Sequence, residues 1–192
     1  MADIHTAQLD PGKLEIITEW VAEQDWAAGL DLDAAPLEKV SAYRFDDPAG
    51  KVGLEVHIVR SGDRTLQVPL SYREAPLEGA EEHLITTMEH SVLGTRWVYA
   101  GMGDPLFRQR LDHAIATAET SAKQYRVDAE GNKLEEITEV AHAFGTGPLP
   151  GAGDVDLLHE LTLDSPLEAT EAGLLLGRWE GQPHSVVLAV MV

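Results

Sequence analysis

The chain has 192 residues, 44% of them hydrophobic and 24% charged, with 33 acidic against 14 basic side chains and a formal charge of −19. This composition fits one packed domain and excludes a disordered chain, and so negative a surface argues against nucleic acid and membrane surfaces as partners. With no cysteine, disulfides, thiolate zinc sites, iron–sulfur clusters and a cysteine nucleophile are excluded.

Residues 1–6 show no basic stretch leading into an apolar one, and no apolar run approaches the ~18 residues of a spanning helix, so the expected location is the cytoplasm. Leu14, Ile17 and Val21, with Ile16 and Trp20 beside them, recur at helical spacing. Asp10-Pro11 ahead of them offers a capping carboxylate and a proline suited to a first turn, which predicts a helix over 11–24. Residues 25–36 read as an acidic loop. From Leu37 the period changes to two, and Val40, Ala42, Tyr43 and Phe45 predict a strand closed by Asp46-Asp47-Pro48-Ala49-Gly50. The clearest hairpin follows: Leu54, Val56 and Ile58 alternate with Glu55, His57 and Val59, Ser61-Gly62-Asp63 turns the chain, and Leu66, Val68 and Leu70 return. Segments 83–90 and 94–100 predict a second strand pair. Asp104-Pro105 repeats the helix-start chemistry, and Phe107, Leu111, Ala114, Ile115 and Ala118 line one stripe of a helix over 105–119.

Beyond that helix the chain is polar over 118–136, with a turn at 128–132. Strands resume over 134–143, and 145–153 is a Gly- and Pro-rich loop. Segments 155–163, 173–180 and 185–192 read as three more strands, the last two a hairpin around Glu180-Gly181-Gln182-Pro183. The apolar run 186–192 reads as a final buried strand, and a free edge there would let two copies pair as a homodimer. Strands in both halves with two separated helices predict a single α+β domain over 1–192 with antiparallel pairing.

Motifs for chemistry are sparse. Gly101-Met102-Gly103 precedes a helix start, but Leu106 stands where a third glycine belongs and Asp104 would repel an anion, so a tight turn is the better reading. Eight histidines are scattered without the helical pair of a zinc protease, and Asp31-Leu32-Asp33 and Asp154-Val155-Asp156 read as solvated loops, so no metal and no cofactor are expected. No serine sits in a nucleophile elbow, and no catalytic residue is assigned. Aromatic residues are more suggestive: Trp97 and Tyr99 share one strand face and Trp179 precedes the last turn, a candidate platform for stacking a sugar.

The run Gly94-Thr95-Arg96-Trp97-Val98-Tyr99-Ala100-Gly101-Met102-Gly103-Asp104-Pro105 leads into the Phe107…Leu111…Ile115 helix and follows Gln67-Val68-Pro69-Leu70-Ser71-Tyr72-Arg73. Together these resemble the N-terminal cap of bacterial maltokinases over residues 12–118, whereas 119–192 is a β-rich remainder without a resemblance. The resemblance implies a cystatin-like antiparallel sheet with helices packed on one face, here extended by further C-terminal strands. Maltokinases transfer the γ-phosphate of ATP to maltose, within trehalose and α-glucan metabolism, through a kinase body downstream of the cap. The motifs of that body are missing: the single asparagine, Asn132, has no catalytic aspartate motif upstream, and no glycine-rich phosphate loop is present.

Three functional readings follow. The first is a non-catalytic cap-like protein, a partner or regulator of a sugar kinase or α-glucan enzyme. The second is a sugar-binding module that uses Trp97, Tyr99 or Trp179. The third is a hydrolase or lyase, which requires a histidine and an acid within reach inside a cleft.

Overall fold

The computed structural model describes residues 2–5, 7–128, 132–164 and 172–192. Its elements in chain order are β1 (Ala2–His5), β2 (Leu9–Asp10), α1 (Lys13–Ala22), β3 (Glu38–Phe45), β4 (Gly53–Ser61), β5 (Arg64–Arg73), β6 (Leu84–His90), β7 (Gly94–Ala100), α2 (Pro105–Ala116), β8 (Gln124–Val127), β9 (Lys133–Ile137), β10 (His142–Gly145), β11 (Val155–Leu157), β12 (Glu160–Leu161), β13 (Leu174–Arg178) and β14 (Val186–Met191). The β4–β5 hairpin is the backbone of a seven-stranded sheet, with β3 beyond β4 and with β7, β6 and β2 beyond β5. The outer edge of β5 is shared: residues 70–73 pair with β7, and Thr65 and Leu66 pair with β12.

Alternation along the hairpin supplies two apolar faces. Val59 on β4 and Leu66, Val68, Leu70 and Tyr72 on β5 pack with Ile16, Ile17 and Val21 of α1. Leu54, Val56 and Ile58, with Tyr43 and Phe45 of β3, point the other way and share a core with Phe107, Leu111, Ala114 and Ile115 of α2. The two helices therefore lie on opposite faces, not on one face as the cap resemblance implied, because the hairpin register turns the apolar residues of β4, at 54, 56 and 58, to one side and those of β5, at 66, 68 and 70, to the other.

The C-terminal strands form a second antiparallel sheet in the order β10-β13-β14-β11. Its Ala143, Val155, Leu175, Leu188 and Ala189 join the α2 core. The strands expected over 134–143 are β9 and β10, which serve different sheets, and 155–163, expected as one strand, divides between β11 and β12, again in different sheets. β14 is an inner strand, flanked by β13 and β11, so its edges are already paired. A third sheet, β1-β8-β9, contains a parallel pair, β1 with β8, that the all-antiparallel expectation missed. Residues 129–131 of the turn expected at 128–132 lie outside the described residues; Asp128 Oδ1 accepts the Asn132 amide at 2.7 Å.

The two helix starts differ. At α2, Asp104 is the N-cap and accepts from Leu106 N at 2.9 Å, as its Asp-Pro sequence predicts. At α1, Asp10 is instead in β2 opposite Glu89, and the cap passes to Gly12, whose amide donates to Glu15 Oε2 at 3.3 Å. Pairing with β6 claims the Asp10 backbone before the helix begins.

Buried polar bonds tie the two halves together. Gln67, fully buried, accepts from Tyr43 Oη at 3.0 Å and donates through Nε2 to the carbonyls of Leu158 at 2.6 Å and Leu188 at 2.5 Å. Asp104, also fully buried, accepts from Ser71 Oγ at 2.6 Å and from Arg73 Nε and Nη2 at 2.7 Å each. Burial pushes the Asp104 carboxyl up, but the bonds from Arg73 and Ser71, the Arg73 charge and the Leu106 amide outweigh it and hold the pKa below 3.8.

His159 stacks on Trp26 with ring centroids 4.3 Å apart and planes 5° from parallel, and its Nδ1 donates to the Gln67 carbonyl at 3.1 Å. Burial lowers its pKa below 6.5, against smaller opposing effects of that hydrogen bond and of Asp156. The unfolded chain then binds this proton more readily than the folded one. Its effect on stability is flat above about pH 6.5, and stability is lost as pH falls from there through the lowered folded value. Thermal melts at stepped pH should show this decline, and His159→Phe, which keeps a stacked ring, should flatten it. A slope unchanged in His159→Phe would assign the decline to another group. The carboxylates held low, Glu55 and Asp104, begin to lose their contributions only toward their ordinary values of 4.5 and 3.8, so a decline that sets in near pH 6.5 is not theirs.

Candidate functional site

The face of the sheet under α1 turns polar at one end. Arg44 on β3 lies opposite Glu55 on β4, and Gly53 on β4 lies opposite Tyr72 on β5, which in turn pairs with Val98, two residues from Arg96 on β7. Lys13, the first residue of α1, reaches this end, and its Nζ meets Glu55 Oε2 at 2.5 Å. His57 Nε2 lies 3.4 Å from the same Glu55 oxygen and 3.0 Å from Tyr72 Oη. The Lys13 ammonium also lies over the Tyr72 ring, 5.1 Å from its centroid.

Burial pushes the Glu55 carboxyl up, but Lys13, His57 and Arg44 together outweigh it and hold the pKa well below the usual carboxylate range. Burial, reinforced by the Glu55 charge, keeps the Tyr72 phenol protonated well above its ordinary value, with Arg44 acting in the opposite direction. The network thus pairs a fixed carboxylate with a neutral phenol.

These groups form part of the wall of a cavity of about 940 Å³, lined among others by Lys13, Arg44, Glu55, Tyr72, Met88 and Arg96. The size is right for a small-molecule ligand. Gly53 keeps it open: a Cβ there would come within 3.3 Å of Tyr72 Cδ2 and 3.4 Å of Arg44 Nη2. At the rim, the Asp47 carboxylate is turned into its own loop and accepts from the backbone N–H groups of Ala49, Lys51 and Val52. Glu55 and His57 are the histidine and acid within reach that the hydrolase reading requires. However, His57 is outside the cavity lining, and neither Glu55 nor Tyr72 is poised to exchange a proton near neutral pH. The arrangement is suited to holding a polar ligand.

The aromatic residues expected to form a platform are elsewhere. Trp97 and Tyr99 share a face of β7; Tyr99 is buried, and its hydroxyl accepts the Leu77 amide at 2.8 Å. Trp97 is half-buried, and Trp179, just after β13, packs against the core of α2 and the second sheet. Among the described residues no ring contact joins the three, and the cavity lining includes none of them. No group of three or more His, Asp or Glu side chains among the described residues is placed to hold a metal ion. Gly101 and Gly103 form the tight turn expected: a Cβ on Gly103 would strike the His83 ring, and one on Gly101 would come within 2.8 Å of Pro69 Cβ.

The polar end of the α1 face was missed in the sequence because Glu55 and His57 read as the outer half of an alternating strand. A signal was available in Arg44 and Arg96, basic residues inside strands of a chain with few bases. Residues 20–104 match the maltokinase N-terminal cap domain. The matched segment runs from Trp20 in α1 through β3–β7 to Asp104. It includes Arg44, Glu55, Tyr72 and Arg96 of the cavity, while Lys13 lies ahead of it. No curated protein matches the chain. No helix among the described residues is long and apolar enough to cross a membrane.

Proposed function

We propose that this chain acts without catalysis of its own, as a maltokinase-cap-like partner or regulator of a sugar kinase or α-glucan enzyme in the cytoplasm. The observation that carries this reading is the shared core. The cap match ends at Asp104, yet Leu111, Ile115, Leu175 and Leu188 from beyond it pack against Tyr43, Val56 and Ile58 from within it. The following residues thus complete a body around the cap sheet, which favours an accessory role over a second lobe built for phosphotransfer. The cystatin-like description of the cap belongs to the same reading and is supported by α1 lying across a long antiparallel sheet.

The test is to incubate the purified chain with Mg-ATP and maltose, glucose or glucosamine, and to titrate it into a sugar kinase from the same cell. No phosphorylated sugar is expected from the chain alone, and a saturable change in the kinase's KM or kcat is expected on mixing. Turnover by the chain alone would overturn the non-catalytic reading, and an unaffected kinase would remove the regulatory one.

A further inference from the structure

In an acidic chain most guanidinium groups find carboxylates, and here Arg60, Arg64, Arg73, Arg110 and Arg126 are ion-paired. The two arginines of the cavity are not. Among the described residues Arg44 donates no hydrogen bond, and its Nε is buried without a partner. Arg96 uses one Nη2 bond, to the Leu93 carbonyl at 2.6 Å, and its Nε is likewise buried and unpartnered. The carboxylate opposite Arg44, Glu55, is already engaged by Lys13 at 2.5 Å. Asp47 is committed to its loop, Asp46 has a partner of its own, and Glu74 is exposed at the rim.

A buried donor left unpaired costs about 1–3 kcal/mol, and planar guanidinium groups match the oxygen pairs of phosphate and carboxylate. Gly53 leaves open the space beside Arg44 Nη2 and the Tyr72 ring. We infer that this cavity binds the oxyanion group, phosphate or carboxylate, of a small molecule, with Arg44 and Arg96 as its donors and Tyr72 as an apolar wall. The inference is independent of the regulatory reading: the site can bind an anion whatever the chain's partner.

The test is calorimetric titration of the full chain with inorganic phosphate and with malonate at constant ionic strength, repeated on Arg44→Gln, Arg96→Gln and the remote control Arg108→Gln. Saturable binding is expected in the wild type and in Arg108→Gln, weakened at least tenfold in each cavity variant. Circular dichroism melts of all four proteins check that the variants remain folded. Preference for phosphate assigns a phosphoryl ligand, and preference for malonate a carboxylate. No saturable binding of either probe, or binding equal in the folded cavity variants, overturns the inference.

Discussion

Asp104→Ala is expected to destabilise the protein by about 3–5 kcal/mol, because it strips a buried ion pair and a helix cap in one substitution. The carboxylate satisfies Arg73 twice, Ser71 once and the Leu106 amide. Alanine leaves the Arg73 guanidinium, only 18% exposed, beside an apolar methyl. For a chain of this size the melting temperature should fall by roughly 10 °C, measured by calorimetry or circular dichroism. Asp104→Asn separates the contributions: it can still cap α2 but removes the charge facing Arg73, so it should lose an intermediate amount. If Asp104→Ala melted within a degree or two of the wild type, the buried pair would not be holding α2 to the sheet.

Gln67→Leu is the second large effect, expected at about 3 kcal/mol. The replacement is close in volume but removes both the acceptor for Tyr43 Oη and the donor to the carbonyls of Leu158 and Leu188, leaving buried polar groups without partners. The damage should be uneven. The bonds join the β5 hairpin to the segment before β12 and to β14, so amide hydrogen exchange should accelerate most over 155–161 and 186–191. Uniform acceleration across both sheets would mean that Gln67 supports the core generally and does not fasten the C-terminal half to the cap sheet.

Local chemistry was legible where one short stretch decided the outcome. Period-two alternation over 54–70 with a Ser-Gly-Asp turn specifies the β4–β5 hairpin, and Asp104-Pro105 with the Phe107-Leu111-Ile115 stripe specifies α2 and its cap. The same chemistry failed at Asp10-Pro11, where a partner strand distant in sequence took the backbone that the cap would have used. The candidate site was illegible for a related reason. Glu55 and His57 alternate with Leu54, Val56 and Ile58 as solvent-facing residues would, and alternation names two faces without saying that both are covered.

What this sequence determined by itself was therefore most of its elements: the hairpins, both helices, the acidic surface and, through the run from Gly94 to Pro105, the resemblance to the maltokinase N-terminal cap, which a match over residues 20–104 supports. What only the tertiary structure decided was allocation. α1 and α2 went to opposite faces because the hairpin register aims the apolar residues of β4 to one side and those of β5 to the other, and the strand expected at 155–163 was divided between two sheets because β5 had an edge left to pair. The cavity at Arg44, Tyr72 and Arg96 exists because five strands, β3 to β7, and the first turn of a helix meet there, a coincidence of long-range pairings that no local pattern encodes.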